Sequence, residues 1–216
     1  MSKKQREKKR EAKAKEAAKE AAAKGAAEAK AVVVVPCPKE AAAKAEAERI
    51  AKKYDEIKLN GHSAQRHGEE ITVQQLKDRA VKGFVPVTGT INDGYNKKAD
   101  GTPKEHNYGK DATKFNSKDA LVKADETIRQ TESFKKALKS ATDTNDDVMA
   151  VDDTKLEDIF GKDYKTQVTG KTREGSKKHP TGNTTDTDFT DGTVKAVYKK
   201  DAGGNWNIET MYPETK

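Results

Sequence analysis

Apart from Met1, none of the first 31 residues is both apolar and larger than alanine, so this stretch has nothing to bury in a core. It is built almost wholly from Lys, Glu, Ala, Arg and Gln, strong helix formers, with pairs such as Glu16/Lys19 and Glu20/Lys24 at helical spacing. The expectation is a basic helical tail over residues 1–31, weakened at Gly25 and either solvated or held by a partner. The tail carries 11 Lys/Arg against five Glu, whereas residues 60–216 carry 26 of each sign. The formal net charge of +7 is therefore a property of the tail. A neutral remainder argues against a nucleic-acid-binding surface spread over the whole chain. Phosphate chemistry in that part must rest on a few placed cations.

With 216 residues and 32% hydrophobic content, the chain has room for one modest domain and some non-core sequence, not for two sizeable cores. The longest strictly apolar run, Ala31–Val35, is far short of the roughly 20 residues that cross a bilayer. The start, MSKKQREKKREAK, has no apolar segment of the kind a Sec-type signal peptide needs. Cys37 is the sole cysteine, so neither an intrachain disulfide nor a Cys-rich zinc site is available.

Four β-branched residues and two prolines (Val32–Val35, Pro36 and Pro38) break the tail, and residues 32–58 read as a linker and a second helix, Lys39–Tyr54, ending before the Asn60-Gly61 turn. From residue 59 the composition changes. Thr72 can cap a short helix, VQQLKDRAV, with Val73, Leu76 and Val81 inward. Residues 83–113, rich in Gly, Asn, Asp, Thr and Lys, read as a long loop or ragged hairpin. Asn116 or Ser117 can cap one helix over Lys118–Lys139, followed by an acidic linker over 140–153 and a short helix over Lys155–Phe160. Tyr164–Lys171, Thr193–Lys199 and Trp206–Tyr212 have strand character, the last two joined by the hairpin loop Asp201–Asn205. Helices first and antiparallel strands last predict an α+β domain over residues 59–216.

His106 and His179 lie in polar surroundings and read as solvated loop residues. His62 and His67 differ, because Gly61–Gly68 concentrates two imidazoles and the Arg66 guanidinium within eight residues. A metal pair is a poor reading, since no third ligand stands nearby. Proton transfer suits the cluster better. An imidazole titrates near neutrality and can take a proton from a hydroxyl or return one to an alkoxide. RNA places such a hydroxyl beside a scissile phosphodiester, and its cleavage needs a base, an acid and a cation, with no metal or other cofactor. Arg79 on the next helix suits bidentate phosphate contact, although spacing alone reads it as a solvated helix-face charge. Thr210 and Tyr212, two apart, share one strand face and could donate to a phosphate; as a pair they also read as ordinary strand residues.

The ordered set GHSAQRHG, ITVQQLKDRA, ATKFNSKDALVKADETI and NIETMYPE resembles the RNase A-like C-terminal toxin domains of bacterial contact-dependent inhibition and related polymorphic toxins. That family shows a Gly-His-x4-His start, an L-x-x-R helix, a Ser/Thr-x-Phe helix opening and a closing Thr-x-Tyr-Pro. The resemblance covers roughly residues 59–216 and implies a disulfide-free, RNase A-like fold. It implies His67 as catalytic base or acid, Arg79 as the phosphate-stabilising cation, and Thr210 and Tyr212 as the remaining donors. His62 matches the first histidine, which orients the site or packs, and Arg66 the position of a basic residue that touches RNA. Residues 83–113 are a longer, more polar insertion than the family has.

The function so implied is an antibacterial effector with metal-independent endoribonuclease activity, leaving a 2′,3′-cyclic phosphate. Its substrate would be RNA, with tRNA among the candidates, and a cognate immunity protein would neutralise it. Its place of action would be the target-cell cytoplasm after secretion, the tail serving a type VI or contractile injection machinery. The alternative is a non-enzymatic RNA- or ribosome-binding protein that acts through the tail, with steep salt dependence.

Overall fold

In the computed structural model, residues 37–216 are described; the basic tail over 1–31 and the break at Val32–Val35 lie outside the described residues. Helix α1 (Pro38–Asn60) runs beyond Tyr54, because Tyr54 and Ile57 are buried in the main core and prolong the apolar stripe. Consistent with this, the compact unit that holds the site begins at Lys44, inside α1 and ahead of residue 59. The helix stops where Gly61 must pass the last strand: a Cβ there would lie 2.2 Å from the Ile208 carbonyl oxygen and 2.5 Å from that of Glu209. Only glycine permits that approach.

A single turn, α2 (Ser63–His67), follows. Helix α3 (Val73–Lys82) starts at a capping box in which Thr72 and Gln75 bond each other's backbone amides. Its buried stripe is Leu76 and Ala80, with Ile71 and Ala112. Val73, expected inward, is exposed, and Val81 is only partly covered. The spacing Leu76–Ala80 turns Arg79 to the stripe's edge. Gly83 ends α3 in the left-handed conformation at φ 73°.

The 83–113 segment is a hairpin, β1 (Asn92–Lys97) with β2 (Pro103–Glu105), leading into strand β3 (Asp111–Phe115) that the polar composition hid. Ser117 caps α4 (Lys118–Ile128) and Thr131 caps α5 (Glu132–Thr144). The single helix expected over Lys118–Lys139 is thus two. The Thr131 hydroxyl donates to the Ile128 carbonyl and accepts from the Phe134 amide, closing one helix and opening the next. The acidic segment 140–153 is not a linker. It completes α5 and enters strand β4 (Val148–Lys155), whose Met149 and Val151 are buried. Asp152 and Asp153 fall where the ladder slips by a residue and stay exposed.

A short helix, α6 (Leu156–Phe160), and a 3-10 turn over Tyr164–Thr166 precede β5 (Val168–Gly175), so the strand starts later than Tyr164. Strand β6 (Pro180–Asp186) is a mostly exposed edge without alternating apolar residues. Strands β7 (Thr193–Lys200) and β8 (Trp206–Glu214) form the last hairpin, its Asp201 carboxylate accepting from the amides of Gly203 and Asn205. All pairings are antiparallel, in the orders β1-β2, β3-β5-β6 and β4-β7-β8. The domain is α+β, as its pattern of elements predicts.

Two details set up the site. In the β7–β8 ladder Val197 pairs with Thr210 and Tyr198 with Ile208, leaving Glu209 as a bulged residue. The bulge places Thr210 and Tyr212 on the face opposite Ile208, while Met211 and Pro213 turn inward. The second is the approach of β3 to β8 without a shared ladder. The Thr113 hydroxyl donates to the Pro213 carbonyl (2.6 Å) and the Thr215 hydroxyl to the Asp111 carboxylate (2.9 Å). Among the described residues, no helix is long and apolar enough to cross a membrane.

Candidate active site

His62, Arg66, His67, Arg79, Thr210 and Tyr212 all line one pocket of about 360 Å³ beside the β3–β8 seam. They come from the entry to α2, α2 itself, α3 and β8, segments up to 150 residues apart in sequence. Their convergence starts with Ser63. Its buried hydroxyl donates to the Met211 carbonyl (3.0 Å) and accepts from the Met211 amide (3.1 Å), pinning α2 to β8. The His62 amide adds a bond to the Glu209 carbonyl at the bulge.

His67 is 3% exposed. Its Nδ1–H donates to the Thr113 carbonyl (2.8 Å), which leaves the lone pair on Nε2. That nitrogen stands 3.2–3.3 Å from the two terminal nitrogens of Arg79. The ring stacks on Tyr212, centroids 4.8 Å apart and planes 19° from parallel. Burial first, and the Arg79 charge second, hold the imidazole well below its ordinary titration range. It is therefore a neutral ring with its basic nitrogen aimed at a cation.

Arg79 is fixed by a bond to the Arg66 carbonyl (3.0 Å). Among the described residues, no carboxylate lies within ion-pair distance of it. Burial and the neighbouring Arg66 charge lower it to about 10, so it remains cationic at neutral pH. Burial likewise raises the Tyr212 phenol, which stays a proton donor. A half-buried guanidinium with no counter-ion, between an imidazole and a phenol, is suited to an anion.

The two auxiliary residues play different parts. Arg66 is buried; its guanidinium pairs with buried Asp93 and lies over the Tyr95 ring at 5.1 Å. Its charge is thus met inside the protein, although the residue also lines the pocket. His62 packs 4.7 Å from Tyr95, and its Nδ1 sits 3.5 Å from the Glu209 carboxylate without hydrogen-bond geometry. Burial and Arg66 push it down to about 4, so it too is neutral at pH 7.

The sequence reading missed His106. It is 6% exposed rather than solvated, lines the same pocket, and its Nδ1–H donates to the Gly83 carbonyl (3.0 Å). A single histidine in a polar stretch has no spacing that announces burial; the closure that buries it is made by Gly83 and Tyr108, which lie on either side of the hairpin. His179 is exposed, as expected.

Among the described residues, no three His, Cys, Asp or Glu side chains are grouped to hold a metal ion. No family model, curated protein or solved structure matches the chain.

Proposed function

We propose that the chain is an endoribonuclease effector of interbacterial competition that cleaves RNA by attack of the ribose 2′-hydroxyl on the adjacent phosphodiester. The observation that carries this reading is the Arg79 guanidinium, which has no carboxylate partner among the described residues and is held against the lone-pair nitrogen of His67 and close to the Tyr212 phenol, in a pocket open to solvent. A bound phosphodiester draws the guanidinium onto its non-bridging oxygens and frees His67 Nε2 to take the 2′-hydroxyl proton. Thr210 and Tyr212, on one face of β8, donate to the oxygens on which charge develops.

The motif resemblance supplies the biological frame. The antiparallel sheets and disulfide-free core are in keeping with an RNase A-like fold, and a cognate immunity protein is the expected partner in the producing cell. Delivery through an injection machinery into the target cytoplasm belongs to the same proposal. The test is incubation of the full chain with total RNA in EDTA. Fragments ending in 2′,3′-cyclic phosphate, lost by about 10³-fold or more in His67→Ala, are expected. Intact RNA, or full activity in that variant, overturns the reading.

A further inference from the structure

The pocket holds a second imidazole prepared in the same manner as His67. His67 gives its Nδ1–H to the Thr113 carbonyl, and His106 gives its Nδ1–H to the Gly83 carbonyl, at 2.8 and 3.0 Å. Each bond selects the tautomer whose Nε2 carries the lone pair. His67 Nε2 meets Arg79, whereas His106 Nε2 has no bonding partner among the described residues and belongs to a ring lining the pocket.

The His106 ring is also tied to Arg79 through one residue, Gly83. The Gly83 amide donates to the Arg79 carbonyl (3.0 Å), while its carbonyl receives His106. Gly83 has φ 73°, and a Cβ there would lie 2.2 Å from the Tyr108 ring, so the 106–109 loop is seated directly on the end of α3. Buried Arg173 completes the clamp by donating to the carbonyls of Ala80 and Gly109.

We propose, resting on the ribonuclease reading above, that His106 is the general acid of the reaction: its free Nε2 takes a proton from solvent to form the imidazolium, and gives that proton to the departing 5′-oxygen. The balance is simple. The 2′-oxygen forms a bond to phosphorus as its proton passes to His67 Nε2; the bond from phosphorus to the 5′-oxygen breaks as that oxygen takes the proton from His106. The products are a 2′,3′-cyclic phosphate and a 5′-hydroxyl, and the enzyme has moved one proton from one ring to the other.

The division of labour follows from surroundings. His67 Nε2 is in direct contact with the Arg79 cation, which opposes its protonation and keeps it a base. Burial lowers the His106 imidazole and the Gly83 carbonyl works against it by favouring the charged form; at longer range Arg79 and Arg66 oppose that form and Asp93 supports it, with His62 as a further neighbour. An incoming phosphodiester adds a negative charge that favours it further.

A leaving group that needs no proton isolates this role. The substrates are RNA and the 4-nitrophenyl esters of the four nucleoside 3′-phosphates, whose nitrophenolate departs unassisted. His106→Asn keeps a donor in the position of Nδ1 and removes Nε2; His106→Gln is the second variant, and the one that melts like wild type is scored. The expected result is a loss of about 10²–10³-fold on RNA with nitrophenolate release within about threefold of wild type. In wild type, RNA cleavage should also fall as pH rises from the acidic side toward neutrality, because burial holds His106 below its ordinary range, a limb missing from nitrophenolate release. Equal losses on both substrates, or undiminished RNA cleavage, overturn the assignment of His106 while leaving the nuclease reading intact. Wild-type protein inactive on both substrates overturns that reading itself.

Discussion

The His67 ring lies face to face with Tyr212, 4.8 Å between centroids, although 145 residues separate them in the chain. The stack joins the first short helix of the domain to its last strand, and Arg79 stands at the edge of the imidazole. Imidazole, guanidinium and phenol are therefore positioned by one another as well as by the backbone.

If Arg79 stabilises charge on the phosphorane, Arg79→Ala lowers kcat by roughly 10²–10³-fold, with a smaller effect on KM. Arg79→Lys restores only part of the loss, because an ammonium cannot make the bidentate contact. Steady-state kinetics on a fluorogenic RNA settles it; equal activity of the lysine variant and wild type would contradict bidentate binding.

Stability should depend on pH in the mildly acidic range. His62 is pushed from an ordinary value near 6.5 to about 4, and His67 and His106 also move down, so the unfolded chain binds protons that the folded one resists. Their contribution is complete above pH 6.5 and is lost as pH falls toward 4; His62 alone accounts for about 3 kcal/mol. Urea midpoints should decline from pH 7 to pH 4.5, less so in His62→Asn. A flat response over that interval is the contrary result.

Asp93 neutralises Arg66 where both are buried. Asp93→Asn leaves an uncompensated charge and should cost about 3 kcal/mol, whereas Arg66→Met combined with Asp93→Leu should cost less than the single change. Chemical denaturation of the three variants measures this. A harmless Asp93→Asn would mean that the pair carries no weight.

Gly61→Ala forces a methyl group against the carbonyls of Ile208 and Glu209. Separating α2 from β8 should destabilise the protein by about 3 kcal/mol. Calorimetry compares it with Gly94→Ala, where the added group meets nothing within 4 Å. Equal melting of both variants would refute the close approach.

Much of this fold could be read locally. Thr72, Ser117 and the Asp201–Asn205 loop announce their structures through short-range hydrogen bonds between neighbours in sequence. Strands β3, β4 and β6 could not be read so. Asp111–Phe115 gains its order from β5, and the acids of β4 are tolerated at a bulge that only the β7 partner defines. In the site, His67, Arg79, Thr210 and Tyr212 were legible as an ordered set of motifs. His106 was not, since its burial depends on Gly83 at the far end of the 83–113 segment. The burial of Arg66 has the same origin, for its partner Asp93 lies in that segment too.

The bulge at Glu209 makes pairing register, rather than residue identity, the fragile quantity of the final strand. Were Glu209 drawn into regular pairing, the closing Thr-Met-Tyr-Pro letters would be unchanged, yet alternation would rotate the hydroxyl and the phenol toward the interior and bring Met211 to the mouth of the cleft. Removal of Glu209 itself, by contrast, would join the Ile208–Tyr198 and Thr210–Val197 pairs in one regular ladder and leave both groups facing the cleft.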